Sequence, residues 1–165
     1  MVKTIINKVK SRSDVVLVEM LANKIWKEHY PPIIGKEQVS YMLRKYQTSL
    51  AIQQQIEEGA NYHILFEQSH PVGYFSFHYE GDAVFLSKIY VAKEVRGQGL
   101  GKKALEFILQ QARDKSAKVI RLTVNKFNLA TIDAYKRLGF TTTDSIVKDI
   151  GGGFVMDDYV MEKVV

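Results

Sequence analysis

Apolar residues in the first third of the chain are spaced mainly as they are in amphipathic helices. A β-branched stretch at residues 3–9 predicts a strand, and apolar residues between positions 16 and 25 then recur at helical spacing. Ser13 is placed to cap this helix, and the proline pair that begins at Pro31 ends it. A second helical region is predicted over residues 36–58. The pattern therefore predicts one strand followed by two helices.

The apolar period changes to that of strands after residue 60. Residues 61–68, 72–79 and 83–91 are runs rich in β-branched and aromatic side chains, separated by very short turns. Turns this short predict antiparallel hairpins. The third run is apolar at successive positions, which predicts a strand that is buried on both faces and central in its sheet.

Helices and strands alternate in the second half of the chain. A glycine-rich segment precedes a helix that runs to about residue 115, and a strand at 118–125 follows. Asn128 opens another helix, and two last strands surround the glycines at 151–153. The order β-α-α-β-β-β-α-β-α-β-β predicts an α+β fold with a mixed, mostly antiparallel sheet of about seven strands and helices on both faces. Residues 83–125 are predicted to form a right-handed crossover.

Length and composition narrow the class of protein. The chain has 165 residues without a linker or repeat, so we expect a single domain over residues 1–165. There is no signal-peptide pattern and no apolar run near the roughly 18 residues that cross a bilayer, so we expect a cytoplasmic protein without a membrane partner. The absence of cysteine excludes disulfides, thiolate metal ligands and a cysteine nucleophile. A net charge of +5 suits an anionic ligand.

Three glycines, Gly97, Gly99 and Gly101, alternate directly before an apolar helix. Glycines in this place allow the backbone to approach a ligand and to direct amide groups at an anion. The dinucleotide pattern G-x-G-x-x-G requires a glycine where the chain has Lys102, and the Walker pattern requires Ser or Thr where it has Lys103. Neither phosphate loop matches.

A third pattern matches this segment. The string RGQGLG, which begins at Arg96, is similar to Q/R-x-x-G-x-G/A, the acetyl-CoA loop of the GNAT superfamily of N-acetyltransferases. NKFNLATIDAYKRLGF, which begins at Asn125, resembles the family's N-x-x-A-x-x-x-Y-x-x-x-G-F segment. LSKIYVAKEV resembles its central splayed strand, and FVMDDYVMEK its closing strand. Together these segments imply the GNAT fold and an acetyl-CoA-dependent N-acetyltransferase.

The resemblance also implies how acetyl-CoA would be held. Backbone amides of residues 97–102 would bind the pyrophosphate, and the central strand would offer backbone groups to the pantetheine arm. An amine would attack the thioester carbonyl directly in a ternary complex, which agrees with the absence of cysteine. The implied cofactor-binding residues are Ile89, Tyr90, Val91, Arg96, Gly97, Gln98, Gly99, Leu100, Gly101, Lys102, Asn128 and Tyr135.

Tyr135 occupies the position of the family's catalytic tyrosine, which implies that it protonates the departing CoA thiolate. A free phenol is a weaker acid than a thiol, so this donation should accompany cleavage of the C–S bond or be assisted by Lys136 or Arg137. Without the resemblance, Tyr135 is a helix residue that packs against Ile132 and Leu138.

Other residues of these segments have two interpretations each. Asn128 is predicted to cap its helix and is also a candidate contact for the pantetheine arm. Arg96 either contacts a phosphate or is solvated. Asp157 and Asp158 either attract a cationic acceptor or lie in a solvated turn.

The general base is not identified by the sequence. Many relatives in the family carry a glutamate on the central strand, where this chain has Ser87 and Lys88. His78, Glu80 and His29 are the alternatives, as are a relay through water and an acceptor that arrives already neutral.

The acceptor is expected to be an amine of a small molecule or a peptide. The region after the first helix is loosely similar to polyamine-acetylating members of the family.

The histidines lack metal-ligand spacing, so we predict no metal, and basic residues are scattered between acids, unlike those of a nucleic-acid-binding module. Exposed closing strands suit a homodimer. The alternative function is a non-catalytic acyl-CoA-binding sensor or interaction domain, against which the retention of Tyr135 argues.

Overall fold

The computed structural model describes residues 3–165, except for the side chain of Lys88, and these residues form a seven-stranded sheet with helices. The strands are β1 (Thr4–Lys8), β2 (Asn61–Glu67), β3 (His70–Glu80), β4 (Ala83–Val91), β5 (Val119–Asn125), β6 (Thr141–Gly151) and β7 (Phe154–Val164). The helices are α1 (Arg12–His29), α2 (Pro31–Ile34), α3 (Lys36–Tyr46), α4 (Ser49–Glu57), α5 (Leu100–Asp114) and α6 (Leu129–Arg137).

The sheet has the strand order β1-β2-β3-β4-β5-β7-β6. The pairing of β4 with β5 is parallel, and the five other pairings in this sheet are antiparallel. The chain crosses from β4 to β5 through α5, as the sequence predicted. The predicted fold class is therefore confirmed: a mixed, mostly antiparallel sheet with helices on both of its faces.

The first helix begins two residues earlier than predicted. Its N-cap is Ser11, not Ser13, because Ser11 forms a reciprocal capping box with Asp14. Ser11 Oγ accepts from the Asp14 amide at 3.1 Å, and the Asp14 carboxylate accepts from the Ser11 amide at 3.1 Å. Hydrogen bonds from the amides of Lys10 and Ser11 lower the pKa of Asp14.

The second predicted helix is divided into α3 and α4. The break lies at Gln47 and Thr48, where Thr48 Oγ1 accepts from the Ala51 amide at 3.1 Å and starts a new helix. Gln47 is buried, and its side chain hydrogen-bonds to the hydroxyls of Tyr62 and Tyr74. Burial of this polar residue at the break is a tertiary effect that helical spacing alone did not indicate.

Two apolar cores lie on opposite faces of the sheet. α5 and α6 cover one face, where Phe75, Ile108 and Leu122 are fully buried. α1, α3 and α4 cover the other face, around Ile25 and Ile52. Within residues 3–165, none of the helices has the length and apolar character needed to cross a bilayer.

His63 of β2 is buried in the core beneath α5. Its ring stacks on Phe75 at 5.2 Å and contacts Phe107 at 4.8 Å, and its Nδ1 atom has no hydrogen-bond partner among the described residues. Burial disfavours the charged imidazolium and lowers the pKa of His63 to about 4. The folded state therefore binds fewer protons at this site than the unfolded chain does.

We expect this histidine to make the protein acid-sensitive. Because the folded pKa is depressed, the stability contribution is complete above the unfolded pKa of 6.5 and is lost as the pH falls towards 4. When the pH falls from 7.5 to 5, His63 should lower the free energy of unfolding by about 1–2 kcal/mol, after allowance for solvent screening. Urea unfolding at both pH values measures the loss, which His63→Leu should reduce. The exposed His70 is the control, and an equal reduction in His70→Leu would contradict this assignment.

Candidate active site

β4 and β5 separate in the middle of the sheet. Their parallel pairing covers three residues of β4 and ends at Phe85, whereas β4 continues to Val91 alongside β3. The register of β4 against β3 is irregular between Ser87 and Tyr90. α6 covers this separation, since the Ile89 amide donates to Tyr135 Oη at 3.2 Å. Tyr135 is buried, and its ring packs edge-on against Phe140.

A cleft of about 320 Å³ lies beside this separation, between α6 and the glycine-rich loop, and we call it the loop cleft. Gln98 and Lys102 are exposed and lie outside its lining. The other ten of the twelve residues that the sequence assigned to the cofactor line it: Ile89, Tyr90, Val91, Arg96, Gly97, Gly99, Leu100, Gly101, Asn128 and Tyr135.

The glycine-rich loop has a conformation that requires glycine at two positions. Gly97 has φ +79° and Gly99 has φ +81°, in the left-handed region, and Gly99 is the N-cap of α5. A Cβ at either position, or at Gly101, would have no neighbour within 4 Å. The first amides of α5 have no acceptors within their own helix and carry its positive dipole end. This end of the loop cleft therefore suits an anionic group.

The segment that leads into the glycine-rich loop is anchored at two points. Arg96 Nε donates to the Val91 carbonyl at 3.0 Å, which folds the arginine back onto the end of β4. The 3₁₀ turn before it is attached to α1, where Lys24 forms an ion pair with Glu94. That ion pair lowers the pKa of Glu94. The start of the loop is thus attached both to the end of β4 and to α1.

Asn128 does not cap α6 with its side chain, contrary to the prediction. It occupies the N-cap position, but its side chain makes no capping bond, and Oδ1 instead lies 3.1 Å from His29 Nε2. The residue is buried, and its Nδ2 atom has no partner among the described residues. A buried donor is costly to leave unpaired, so its position in the loop cleft indicates an acceptor supplied by a ligand.

These features fit acetyl-CoA. The amides at the start of α5 suit the phosphates, and Asn128 Nδ2 suits a carbonyl oxygen, of which the pantetheine arm has several. Within residues 3–165, no three His, Asp or Glu side chains come together in a way that would hold a metal ion.

A second and larger cleft, of about 600 Å³, runs over the other face of the sheet beneath α1, α3 and α4, and we call it the sheet cleft. Its lining includes the carboxylates Glu80 and Asp158 and the cation Lys148. Aromatic side chains form much of its wall, among them Trp26, Tyr30, Tyr46, Tyr62, Tyr74, Phe85 and Tyr90.

A chain of hydrogen bonds crosses the wall of the sheet cleft. Trp26 Nε1 donates to Tyr74 Oη at 3.0 Å, and Tyr74 donates to Gln47 Oε1 at 2.7 Å. Gln47 Nε2 donates to Tyr62 Oη at 3.2 Å, and Tyr62 donates to Gln55 Oε1 at 2.6 Å. Burial raises the pKa of Tyr62 and of Tyr74, so both remain neutral phenols and this hydrogen-bonded part of the wall carries no charge.

Tyr30 and Tyr90 line both clefts and mark the place where the clefts meet. Burial is the main cause that raises the pKa of Tyr30, and a hydrogen bond to Tyr90 partly offsets it. Negative charge on Tyr135 or Asp158 would raise the pKa of Tyr30 further. Tyr30 therefore lies close to one residue of each cleft, Tyr135 on one side and Asp158 on the other. The helical spacing of the sequence did not indicate that Tyr30 lies where the two clefts meet.

The candidate bases from the sequence lie in different places. His78 Nε2 and Glu80 Oε1 are 2.8 Å apart and line the sheet cleft, whereas His29 lines the loop cleft. Asp158 is not in a solvated turn: it lies within β7, is only 6% exposed and lines the sheet cleft. Asp157 points to the other side of the strand and pairs with Lys126 at 2.7 Å.

Comparison with known proteins gives an independent indication of ancestry. A model described as the acetyltransferase (GNAT) family matches residues 20–140, more than two thirds of the chain. The chain is also similar to the thialysine N-epsilon-acetyltransferase of Bos taurus, 40% identical over 67 residues. That match covers 40% of this chain and 39% of the bovine protein, so the chain spans well under half the length of this curated relative.

Solved structures share the fold over nearly the whole chain. The PaiA N-acetyltransferase from Thermoplasma acidophilum, in complex with coenzyme A, has a TM-score of 0.82 at 21% identity, over 99% of both chains. The GCN5-related N-acetyltransferase from Rhodopseudomonas palustris has a TM-score of 0.83 at 13% identity, over 99% of this chain and 96% of its own.

Proposed function

The chain belongs to the acetyltransferase (GNAT) family, and we propose that it transfers the acetyl group of acetyl-CoA to a primary amine by direct attack in a ternary complex. The observation that carries this proposal is the meeting of two clefts at Tyr30 and Tyr90, beside Tyr135. One cleft has the features of a cofactor site and the other is open to a second substrate. Two substrates held in adjacent clefts can react without an enzyme-bound acyl group.

The loop cleft supports acetyl-CoA as the first substrate. Acetyl-CoA supplies an activated acetyl thioester. The amides at the start of α5 and the Arg96 guanidinium would bind its phosphates, and Asn128 Nδ2 would donate to the pantetheine arm. Tyr135 would give a proton to the leaving sulfur, because its hydroxyl accepts from the Ile89 amide and so points its own hydrogen away from that strand.

The sheet cleft supports a small, positively charged amine as the second substrate. Glu80 and Asp158 place two carboxylates on its lining, and its aromatic wall suits the methylene groups of an alkylamine. The bovine relative is named for an aminoalkyl amino acid, and the sequence is loosely similar to polyamine-acetylating members. We therefore favour a lysine-like or polyamine acceptor over a peptide amine.

A thiol-release assay tests this function. Acetyl-CoA is supplied with thialysine, spermidine and a lysine-containing peptide in turn, and the free CoA thiol is measured. We expect acetyl-CoA to raise the melting temperature and at least one small amine to release CoA. If acetyl-CoA does not bind, the proposal fails. If it binds and no amine releases CoA, the alternative of a non-catalytic acyl-CoA sensor is favoured.

Three expectations from the sequence stay predictions: a single domain over residues 1–165, a cytoplasmic location and a homodimer. The homodimer is supported by β6, an edge strand of eleven residues, of which ten are exposed and Ile150 is buried. Unpaired backbone groups on such an edge can pair with another strand.

A further inference from the structure

Acetylation of an amine requires a group that receives the proton of the attacking nitrogen. β4, the strand nearest the transfer point, contributes Ser87 to the sheet cleft, and the cleft-lining residues of β4 include no carboxylate. A proton acceptor has to come from another element that reaches the place where the two clefts meet.

The register of the sheet places Asp158 at this level. Asp158 of β7 pairs with Asn125 of β5, and Arg121, four residues before Asn125, pairs with Phe85 of β4. Four residues beyond Phe85 along β4 is Ile89, which is next to Tyr90, where the clefts meet. Asp158 thus lies across the opened sheet from Tyr90, and Asn125 beside it also lines the sheet cleft.

The electrostatics of Tyr30 agrees with this position. Asp158 is close enough to Tyr30 for its negative charge to raise the pKa of that phenol. A negative charge on Tyr135 would raise the pKa of Tyr30 in the same way. Tyr30 therefore lies between a buried carboxylate in the sheet cleft and the phenol that would protonate the leaving sulfur.

The other candidates are less well placed. His78 pairs with Phe85 and Glu80 with Ala83 across β3 and β4. Tyr90 pairs with Tyr74 of β3, and His78 and Glu80 lie four and six residues further along that strand, roughly 13–20 Å away at about 3.3 Å per residue. His29 lines the loop cleft, and its Nε2 is engaged with Asn128.

We propose that Asp158 contacts the attacking amine in the sheet cleft and receives its proton, a role that rests on the proposed acetyl transfer. The bound ammonium first releases one proton to solvent; the neutral amine then forms an N–C bond to the thioester carbonyl, and positive charge builds on the nitrogen beside the carboxylate. One N–H proton moves to Asp158, the C–S bond breaks with its electron pair on sulfur, and Tyr135 gives a proton to that sulfur. The products are the N-acetylated amine and CoA, and a proton passed from Asp158 back to Tyr135 through water restores both residues.

Asp158→Asn tests this role, since it keeps the shape of the side chain and removes its charge. With an amine that the wild type acetylates, kcat should fall at least about 100-fold. The melting-temperature shift with acetyl-CoA should be retained, which shows that the variant is folded and that the loop cleft is intact. In Asp158→Ala, added formate should restore part of kcat, because it supplies the missing carboxylate.

Asp157→Asn is the matched control, since it removes the same charge one residue away on the other side of β7. Its kcat should stay within about threefold of the wild type. Binding of spermidine to the CoA-loaded protein, measured by calorimetry, separates binding from proton transfer. If Asp158→Asn weakens only this binding and keeps kcat, the proton role is overturned. If the wild type is active and Asp158→Asn has the same kcat, the role of Asp158 is overturned and the proposed function stands. If the wild type is inactive with every amine, the proposed function is overturned as well.

Discussion

Replacement of Tyr135 by phenylalanine is expected to lower turnover at least about tenfold, while acetyl-CoA still binds. The substitution removes one hydroxyl and keeps the ring that packs against Phe140. Without that hydroxyl, the CoA thiolate has to leave unprotonated or take its proton from water. The Ile89 amide also loses its acceptor, which costs about 1 kcal/mol in a half-buried place.

The measurement is kcat at saturating amine, together with the melting-temperature shift produced by acetyl-CoA. Tyr79→Phe is the control because it removes a phenolic hydroxyl from β3 on a partly exposed residue that lines neither cleft. An unchanged rate in Tyr135→Phe would remove this residue from the mechanism. A lost melting-temperature shift would instead indicate that the tyrosine acts in binding.

Replacement of Gly99 by alanine is expected to weaken acetyl-CoA binding about tenfold. Gly99 has φ +81°, and a residue with a Cβ pays about 1–2 kcal/mol for this left-handed conformation. The loop can relieve this strain only by leaving the conformation that directs its amides into the loop cleft. Calorimetric titration with acetyl-CoA measures the change in affinity.

Gly101→Ala provides the matched control for this loop. Gly101 lies inside α5 without a positive φ, and a Cβ there has no neighbour within 4 Å. Alanine there adds a Cβ beside the loop cleft without requiring a left-handed conformation, so the loss of acetyl-CoA affinity should be clearly smaller than in Gly99→Ala. Equal losses of affinity in both variants would show that space for the ligand, and not backbone conformation, explains these glycines.

The fold was predictable because most of its elements are specified by local patterns. β4 has the predicted bounds, and the short turns at residues 69–71 and 80–82 specified hairpins. The break between α3 and α4 was not predictable, since apolar spacing continues through it. The buried hydrogen bonds of Gln47, which involve residues from β2 and β3, explain why α3 stops there, and the Thr48 cap explains where α4 begins.

The two clefts differed in how far the sequence could predict them. The loop cleft is built largely from a contiguous motif, so ten of the residues assigned to it do line it. The sheet cleft is assembled from side chains of ten elements spread along the chain from α1 to β7. Asp158 was ambiguous for the same reason: the glycines at 151–153 predict a turn, but only the register of β7 shows that the strand has already begun.

The clefts have nearly separate linings, and this has a consequence for how such a protein changes during evolution. Among the described residues, Tyr30 and Tyr90 alone are common to both. With the sheet cleft as the proposed acceptor site, substitutions in α3, β6 or β7 after gene duplication would alter acceptor preference while selection preserves the cofactor motif. New substrate preferences would then arise without intermediate proteins that no longer bind the cofactor.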